Sequence, residues 1–208
     1  MRTGAIVPVK TFSRAKKRLD ISSEKKERLC RIMLESVLET ISKSQSVERI
    51  AIVSRDEDAF AIGKRYGVAE IYDGQELGVN SAVRLADDYF LKEGFESTVV
   101  FPQDVPLIQT EDVNALLDFR TDGPDVLVVP SRKFDGTNAL VRTPPGVMET
   151  HYDEDSYRIH LSTAERRGSR SALVLIQRMM MDMDDRSDLD LIMRYDLPAS
   201  RSIAHVLL

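Results

Sequence analysis

The sequence predicts an α/β fold, a mostly parallel sheet with helices on both faces, and three observations carry that prediction. Short continuous apolar runs such as Ile50-Ala51-Ile52-Val53 and Val126-Leu127-Val128-Val129 read as strands. Between them lie segments with apolar residues at helical spacing. The two kinds of segment alternate along most of the chain, as they do where crossover helices join parallel strands.

Residues 4–7 form the first strand, ended by Pro8. Ser22 or Ser23 then caps a helix to about Ser42, with Leu29, Ile32, Met33, Val37 and Ile41 on its buried face. Residues 50–53 are a strand, 57–66 a short helix and 69–72 a strand. Residues 79–92 carry Val79, Val83, Ala86 and Phe90 at helical spacing. A strand at 98–101, a helix at 110–119 and a strand at 126–129 follow. Beyond Pro130 the alternation loosens. Gly136-Thr137-Asn138 reads as a turn, 139–142 as an edge strand, 156–167 as helical, 173–181 as a strand and 188–195 as a helix. No repeat or linker interrupts the 208 residues, so one domain over 1–208 is expected.

Composition narrows the function. Apolar residues make up 42% and charged residues 30%, a globular profile. No apolar run approaches the ~20 residues that span a bilayer, and Pro8 breaks the N-terminal run too early for a signal peptide. A cytoplasmic protein with no membrane partner is therefore expected. A net charge of −5 gives no general attraction to nucleic acid. Cys30 has no partner for a disulfide and reads as a buried thiol. The apolar C-terminus (Val206, Leu207, Leu208) and the irregular region 143–170 are candidate interfaces.

Ligands of such sheets bind beyond the carboxyl ends of the strands, so chemistry is expected in 10–19, 54–56, 73–80 and 102–107. The sharpest signal is Pro102-Gln103-Asp104-Val105-Pro106-Leu107, an aspartate bracketed by prolines after an apolar strand. Asp104 either offers an oxygen to a hard cation such as magnesium or bonds its own turn. Asp182 and Asp184 alternate after the late strand, so both point one way at strand spacing. With Asp104 they could surround one or two metal ions; otherwise they form a solvated turn before a helix capped by Asp185 or Ser187.

Lys10, Arg14, Lys16, Lys17 and Arg18 follow the first strand with no acid until Asp20, either an anion site or a solvated basic loop. Glycine-rich phosphate loops are absent, so side chains rather than a backbone cradle would hold a polyphosphate. Gly78-Val79-Asn80 opens a helix where Asn80 can meet a base or ribose, or is an ordinary helix start. His160 is either a base or a satisfied semi-buried histidine.

The ordered set of Pro8-Val9-Lys10 with residues 15–19, Gly78-Val79-Asn80-Ser81-Ala82, the Asp104 segment, Gly136-Thr137-Asn138-Ala139-Leu140, Ser156-Tyr157-Arg158-Ile159-His160 and Asp182-Met183-Asp184 closely resembles the 2-phospho-L-lactate guanylyltransferase family. The resemblance implies a three-layer Rossmann-like fold of the nucleotide-diphospho-sugar transferase (GT-A) type. It also implies transfer of GMP from GTP to 2-phospho-L-lactate, with release of pyrophosphate, in coenzyme F-420 biosynthesis. Relatives take phosphoenolpyruvate or 3-phosphoglycerate instead. Carried over residue by residue, the resemblance makes Asp104, Asp182 and Asp184 the Mg2+ ligands and puts Lys16 and Arg18 near the triphosphate. Lys10 and Asn80 bind substrate, Asn80 near the nucleoside, and Thr137 and Ser156 hold the phospho-acid. A homodimer is expected as well. One departure stands out: acids at 153–155 replace a glycine-containing segment, and outward orientation would spare the acceptor their repulsion.

An oxidoreductase is disfavoured because no G-x-G-x-x-G follows a strand. A molybdenum-cofactor or phosphosugar nucleotidyltransferase would carry a glycine-rich first loop in place of residues 10–19. A non-catalytic nucleotide-binding protein leaves the polar clusters after the strands unexplained.

Overall fold

The computed structural model describes residues 1–208 apart from Lys17, Glu154 and Leu208, so those members of the basic loop, the acidic segment and the C-terminal run lie outside the described residues. The strands are β1 (Thr3–Pro8), β2 (Arg49–Ser54), β3 (Ala69–Tyr72), β4 (Ser97–Val100), β5 (Asp125–Pro130), β6 (Thr137–Thr143) and β7 (Arg170–Leu173). The helices are α1 (Ser23–Ser42), α2 (Glu57–Lys64), α3 (Val79–Lys92), α4 (Thr110–Asp118), α5 (Ser156–Arg166), α6 (Arg186–Ile192) and α7 (Pro198–Leu207). The strands form one sheet in the order β3-β2-β1-β4-β6-β5-β7. All pairings are parallel except those of β6, which runs antiparallel to β4 and β5.

Both sheet faces are covered, which is why the strands read as continuous apolar runs. Ala5, Val7, Ile50, Ile52, Val99, Leu127 and Val141 enter one core with α1, α4, α6 and α7. Their alternates Ile6, Ala51, Val53, Val100, Val126 and Leu140 enter the other with α3 and α5. The period of two along each strand thus sorts side chains between two buried layers rather than between core and water. Gly4 sits where a Cβ would strike the Phe90 ring, so the absence of a side chain lets α3 lie close to β1.

The N-terminal expectations match closely. The Ser22 side chain accepts the Lys25 N–H as the cap of α1, and Leu29, Met33, Val37 and Ile41 are buried on that helix. Cys30 is buried, and burial pushes its thiol up to about 11. Beyond Pro130 the expectations need correction, and Thr137 and Asn138, read as part of a turn, open β6. The segment read as an edge strand, 139–142, belongs to β6 inside the sheet. Its charge is compensated in place: Arg142 donates to both oxygens of Asp87 at 2.6 and 2.7 Å, with both side chains nearly buried. The expected strand at 173–181 ends at Leu173. The Met180 N–H bonds the Ile176 carbonyl in a turn, and Arg178 forks onto Asp112 of α4 at 2.6 and 2.7 Å, pulling the chain off the sheet.

The C-terminal run proposed as an interface forms α7 and packs within the chain. Val206 is buried in the first core and Lys25 donates to the Leu207 carbonyl at 2.9 Å. Among the described residues no helix is long and apolar enough to cross a membrane.

Asp87→Asn leaves the Arg142 guanidinium buried without its counter-charge, and removing one partner of such a pair costs about 3–5 kcal/mol. Urea unfolding should show a midpoint shifted down accordingly; an unchanged midpoint would mean that the pair contributes nothing to stability.

Candidate active site

The strand order turns at β1 and β4: from β1 the chain passes through α1 to β2 on one side, while β4 lies on the other. Their carboxyl ends open a crevice of the kind that binds ligands in parallel sheets. The crevice is a cavity of about 460 Å³ lined by residues of four post-strand loops, among them Lys10, Arg14, Lys16 and Arg18 after β1 and Gln103 and Asp104 after β4. Asp73, Glu76 and Gly78 line it after β3, and Asp184 enters from the segment after β7.

The loop after β1 is pinned by acids from two neighbouring loops. The Phe12 N–H donates to Asp56, which also caps α2, and the Phe12 ring is buried. The Thr11 N–H donates to Glu76 at 2.7 Å, and Arg14 pairs with the same carboxylate at 3.2 Å. So tethered, the loop turns through Lys16, whose φ of +50° is in the left-handed region, and drives that side chain inward. Its ammonium lies 2.5 Å from Asp104 Oδ2 and 2.9 Å from Asp184 Oδ1, with 5% of the side chain exposed. Burial opposes the charge, but the two carboxylates outweigh it and hold the Lys16 pKa above its ordinary value.

Asp182 and Asp184 arrive on an extended segment that is not a strand, yet the alternation expected of them holds. Met181 and Met183 are buried in the first core, and the aspartates between and after them are half-buried. The Met183 N–H donates to the Asp104 carbonyl at 3.0 Å, which places this segment beside the β4 loop. Asp188 fixes it from the other side by accepting the backbone N–H groups of Asp184 and Asp185 and the side chains of Arg132 and Lys133. Burial pushes the Asp188 carboxyl up, but Arg132 and Lys133 outweigh it and its pKa is held low. Asp185 caps α6, as one of the two readings had it.

Asp182 accepts from Asn138 at 3.1 Å. Burial, with the charges of Asp104 and Asp184 added, pushes its carboxyl up to about 6 against that hydrogen bond. Among the described residues no three acidic, histidine or cysteine side chains are gathered closely enough to hold a metal as they stand. The donor set nevertheless fits a hard divalent cation. Asp104 and Asp184 already share one cation, the Lys16 ammonium, and like-charge crowding at Asp182 is the condition that an added cation relieves.

The remaining expected residues separate into two groups. Lys10 and Arg18 are exposed on the cavity lining. Asn80, Thr137 and Ser156 are not among the residues that line it. Asn80 Oδ1 accepts the backbone N–H of Tyr152, a cavity-lining residue, at 2.9 Å. Thr137 and Ser156 are buried, Ser156 Oγ lies 2.9 Å from Thr137 Oγ1, and Thr137 Oγ1 lies 3.0 Å from His160 Nδ1. His160 is wholly buried, burial pulls its pKa down to about 3, and both ring nitrogens are engaged within the protein, Nδ1 with Thr137 and Nε2 with the His151 N–H, so it is the satisfied ring of the two readings. Asp153 and Asp155 are exposed; Asp155 precedes α5 with φ +55°.

Sequence reasoning passed over Asp73, Gln103, Asn138 and Tyr152. Asp73 is buried at the cavity wall and accepts the Glu76 N–H at 3.0 Å. The Gln103 side-chain oxygen is buried with no partner among the described residues. Only position after a strand could have signalled the first two.

Comparison with known proteins shows the family and the fold. The family described as "Guanylyl transferase CofC like" matches residues 3–198. The chain belongs to that family. It is a nucleotidyltransferase, and its relatives divide by acceptor. A phosphoenolpyruvate guanylyltransferase of Conexibacter woesei is 32% identical over 193 residues, covering 91% of this chain and 86% of that protein. A 2-phospho-L-lactate guanylyltransferase of Methanothermobacter thermautotrophicus is 30% identical, covering 91% and 83%. A 3-phospho-D-glycerate guanylyltransferase of Colwellia psychrerythraea is 28% identical, covering 98% and 97%. The fold is that of the nucleotide-diphospho-sugar transferases, as expected. A Desulfovibrio desulfuricans G20 protein assigned to that class superposes with a TM-score of 0.74 at 16% identity, covering 99% of this chain and 95% of its own. A 4-diphosphocytidyl-2C-methyl-D-erythritol synthase of Anaerococcus prevotii gives 0.64 at 12%, covering 100% and 99%.

Because the folded state holds His160 neutral down to about pH 3 while the unfolded chain protonates it near 6.5, its contribution to stability is complete above pH 6.5 and is lost as pH falls toward 3. His160→Asn should therefore flatten the decline of melting temperature between pH 6.5 and 4 relative to the unsubstituted protein. Parallel declines would remove His160 as its source.

Proposed function

We propose that this chain transfers GMP from GTP to a small phosphorylated carboxylic acid, with 2-phospho-L-lactate as the first acceptor to test and phosphoenolpyruvate and 3-phosphoglycerate in the same class. The observation that carries the proposal is the bridge from Lys16 to Asp104 and Asp184 at the floor of a cavity rimmed by Lys10, Arg14 and Arg18. Cations on the rim suit a triphosphate, and carboxylates on the floor suit its counter-ion.

In this reading an oxygen of the acceptor phosphate forms a bond to the α-phosphorus of GTP. The bond from that phosphorus to the β-bridging oxygen breaks in line, and pyrophosphate leaves with the electron pair. No general base is required, because a phosphate monoester with a second pKa of about 6 is mostly dianionic at neutral pH. Magnesium held by Asp104, Asp182 and Asp184 would supply charge neutralisation at the phosphates. Lys16 orients Asp104 and Asp184, Arg18 and Lys10 take the polyphosphate, and Asn80 positions the Tyr152 loop over the nucleoside. Asp73 offers a carboxylate oxygen to a donor edge such as the N1–H and amino group of guanine. Thr137 and Ser156 receive the acceptor. With 2-phospho-L-lactate as acceptor, the reaction belongs to coenzyme F-420 biosynthesis.

Pyrophosphate release should occur with magnesium, GTP and one of the three phosphorylated acids, and with no other nucleoside triphosphate at a comparable rate. No release from folded protein in any combination would sink the proposal. Asp104→Asn should keep the melting temperature within a few degrees and lower turnover by roughly 100-fold or more, the scale of losing one group that stabilises transition-state charge. Full activity of that variant at saturating magnesium would take Asp104 out of the site.

A further inference from the structure

The buried group formed by Thr137, Ser156 and His160 can be counted proton by proton. His160 Nε2 lies 2.9 Å from the backbone nitrogen of His151. A backbone N–H can only donate, so Nε2 must present a lone pair, and the neutral ring carries its single proton on Nδ1. The Nδ1–H then donates to Thr137 Oγ1 across 3.0 Å and cannot accept a hydroxyl proton. Thr137 and Ser156 bring two hydroxyl protons, and one of them is spent in the 2.9 Å bond between the two oxygens, whichever way it points. The other has no acceptor among the described residues.

The opposite tautomer would reverse this balance. With Nδ1 as a lone pair, Thr137 would donate to the ring, Ser156 to Thr137, and no proton would remain. Which ring nitrogen is protonated therefore decides whether the hydroxyl pair can donate to anything outside itself.

We propose that His160 is a positioning residue: its ring, fixed by the His151 N–H, forces the Thr137–Ser156 pair to export one hydroxyl proton and so makes it a donor to an anionic oxygen of the phosphorylated acceptor. The inference rests on the reading above, in which these two hydroxyls receive the acceptor. The surroundings support it. Thr137 opens β6 at the carboxyl-end edge of the sheet, and the next residue of the same strand, Asn138, donates to Asp182. Ser156 is the first residue of α5, and Asp155 before it supplies no side-chain cap, which leaves the first turn of that helix open to negative charge. The Tyr152 ring stands edge-on to the imidazole at 5.0 Å between centroids, and Asn80 holds the Tyr152 backbone. Burial that keeps the imidazole neutral also prevents a second ring proton from competing.

Two measurements on the full chain test the proposal. Nitrogen-15 NMR of labelled histidine at pH 7, with the His160 signals assigned by their loss in His160→Asn, should show protonated Nδ1 and unprotonated Nε2. An Nε2–H tautomer or an imidazolium overturns it regardless of activity. Pyrophosphate-release kinetics with GTP, magnesium and each phosphorylated acid provide the second. His160→Leu removes the Nδ1–H that anchors Thr137 Oγ1 and lets the spare hydroxyl proton turn away, so it should raise the acceptor KM about 2- to 10-fold, the scale of one neutral hydrogen bond, with the GTP KM unchanged. His160→Asn, whose Nδ2 can still donate to Thr137, should recover most of that loss. Equal changes in both KM values, or no recovery by Asn, would assign His160 a merely structural role. If the unsubstituted protein accepts none of the acids, the acceptor reading falls and this use of the pair falls with it, while the NMR signal still reports the tautomer.

Discussion

Carboxylates collected at one edge of a sheet repel one another, and the arrangement persists only where a cation is held among them. Lys16 is that cation. Its ammonium joins the loop after β1, the loop after β4 and the segment after β7, three stretches far apart in sequence. The cost of burying the charge is offset because two carboxylates face it at hydrogen-bonding distance. Everything around it serves to keep the three stretches in register: Asp56 and Glu76 hold the first, the Met183 N–H ties the second to the third, and Asp188 with Arg132 and Lys133 steadies the third.

The same logic appears a second time below the cavity. Arg142 and Asp87 are a buried pair linking β6 to α3, and Thr98 adds a hydroxyl to each partner. One pair organises the polar floor of the site and the other ties the sheet to the helix whose first turn forms its wall.

Much of this was legible in the sequence, and the boundary between what was and was not is physical. Up to Val129 each strand is a short apolar run ended by a turn, and each helix shows its periodicity, so local pattern and final structure coincide. Past Pro130 tertiary contacts override the pattern. Arg142 looks like an edge residue until Asp87 is placed beside it, and residues 174–181 look like a strand until Arg178 is seen drawn to α4. The site behaves in the same way. Lys16, Asp104 and Asp184 could be named from their position after strands and from resemblance, and the structure brings those three together. That Asn80, Thr137 and Ser156 spend their side chains on hydrogen bonds within the fold depends on which way those side chains turn, which no spacing reveals. His160 could be weighed as a base or as a satisfied ring, and only its two hydrogen bonds decide between them.

The reversed direction of β6 has a consequence for how such a protein can diversify. A strand running against its neighbours delivers its beginning, not its end, to the working edge of the sheet, so Thr137 and Asn138 arrive there directly from a short hairpin. The cavity rim and its lysine are built from the first hundred or so residues, whereas the buried hydroxyl pair comes from the hairpin strand and α5. Under the proposed reading most contacts to the nucleotide come from the first part of the chain, with Tyr152, Asp182 and Asp184 joining them from the second. Substitutions around α5 and the start of β6 can redraw the acceptor pocket while the machinery for the nucleotide stays as it is. Relatives of similar overall identity that are named for three different phosphorylated acids are what such a division of labour would leave behind.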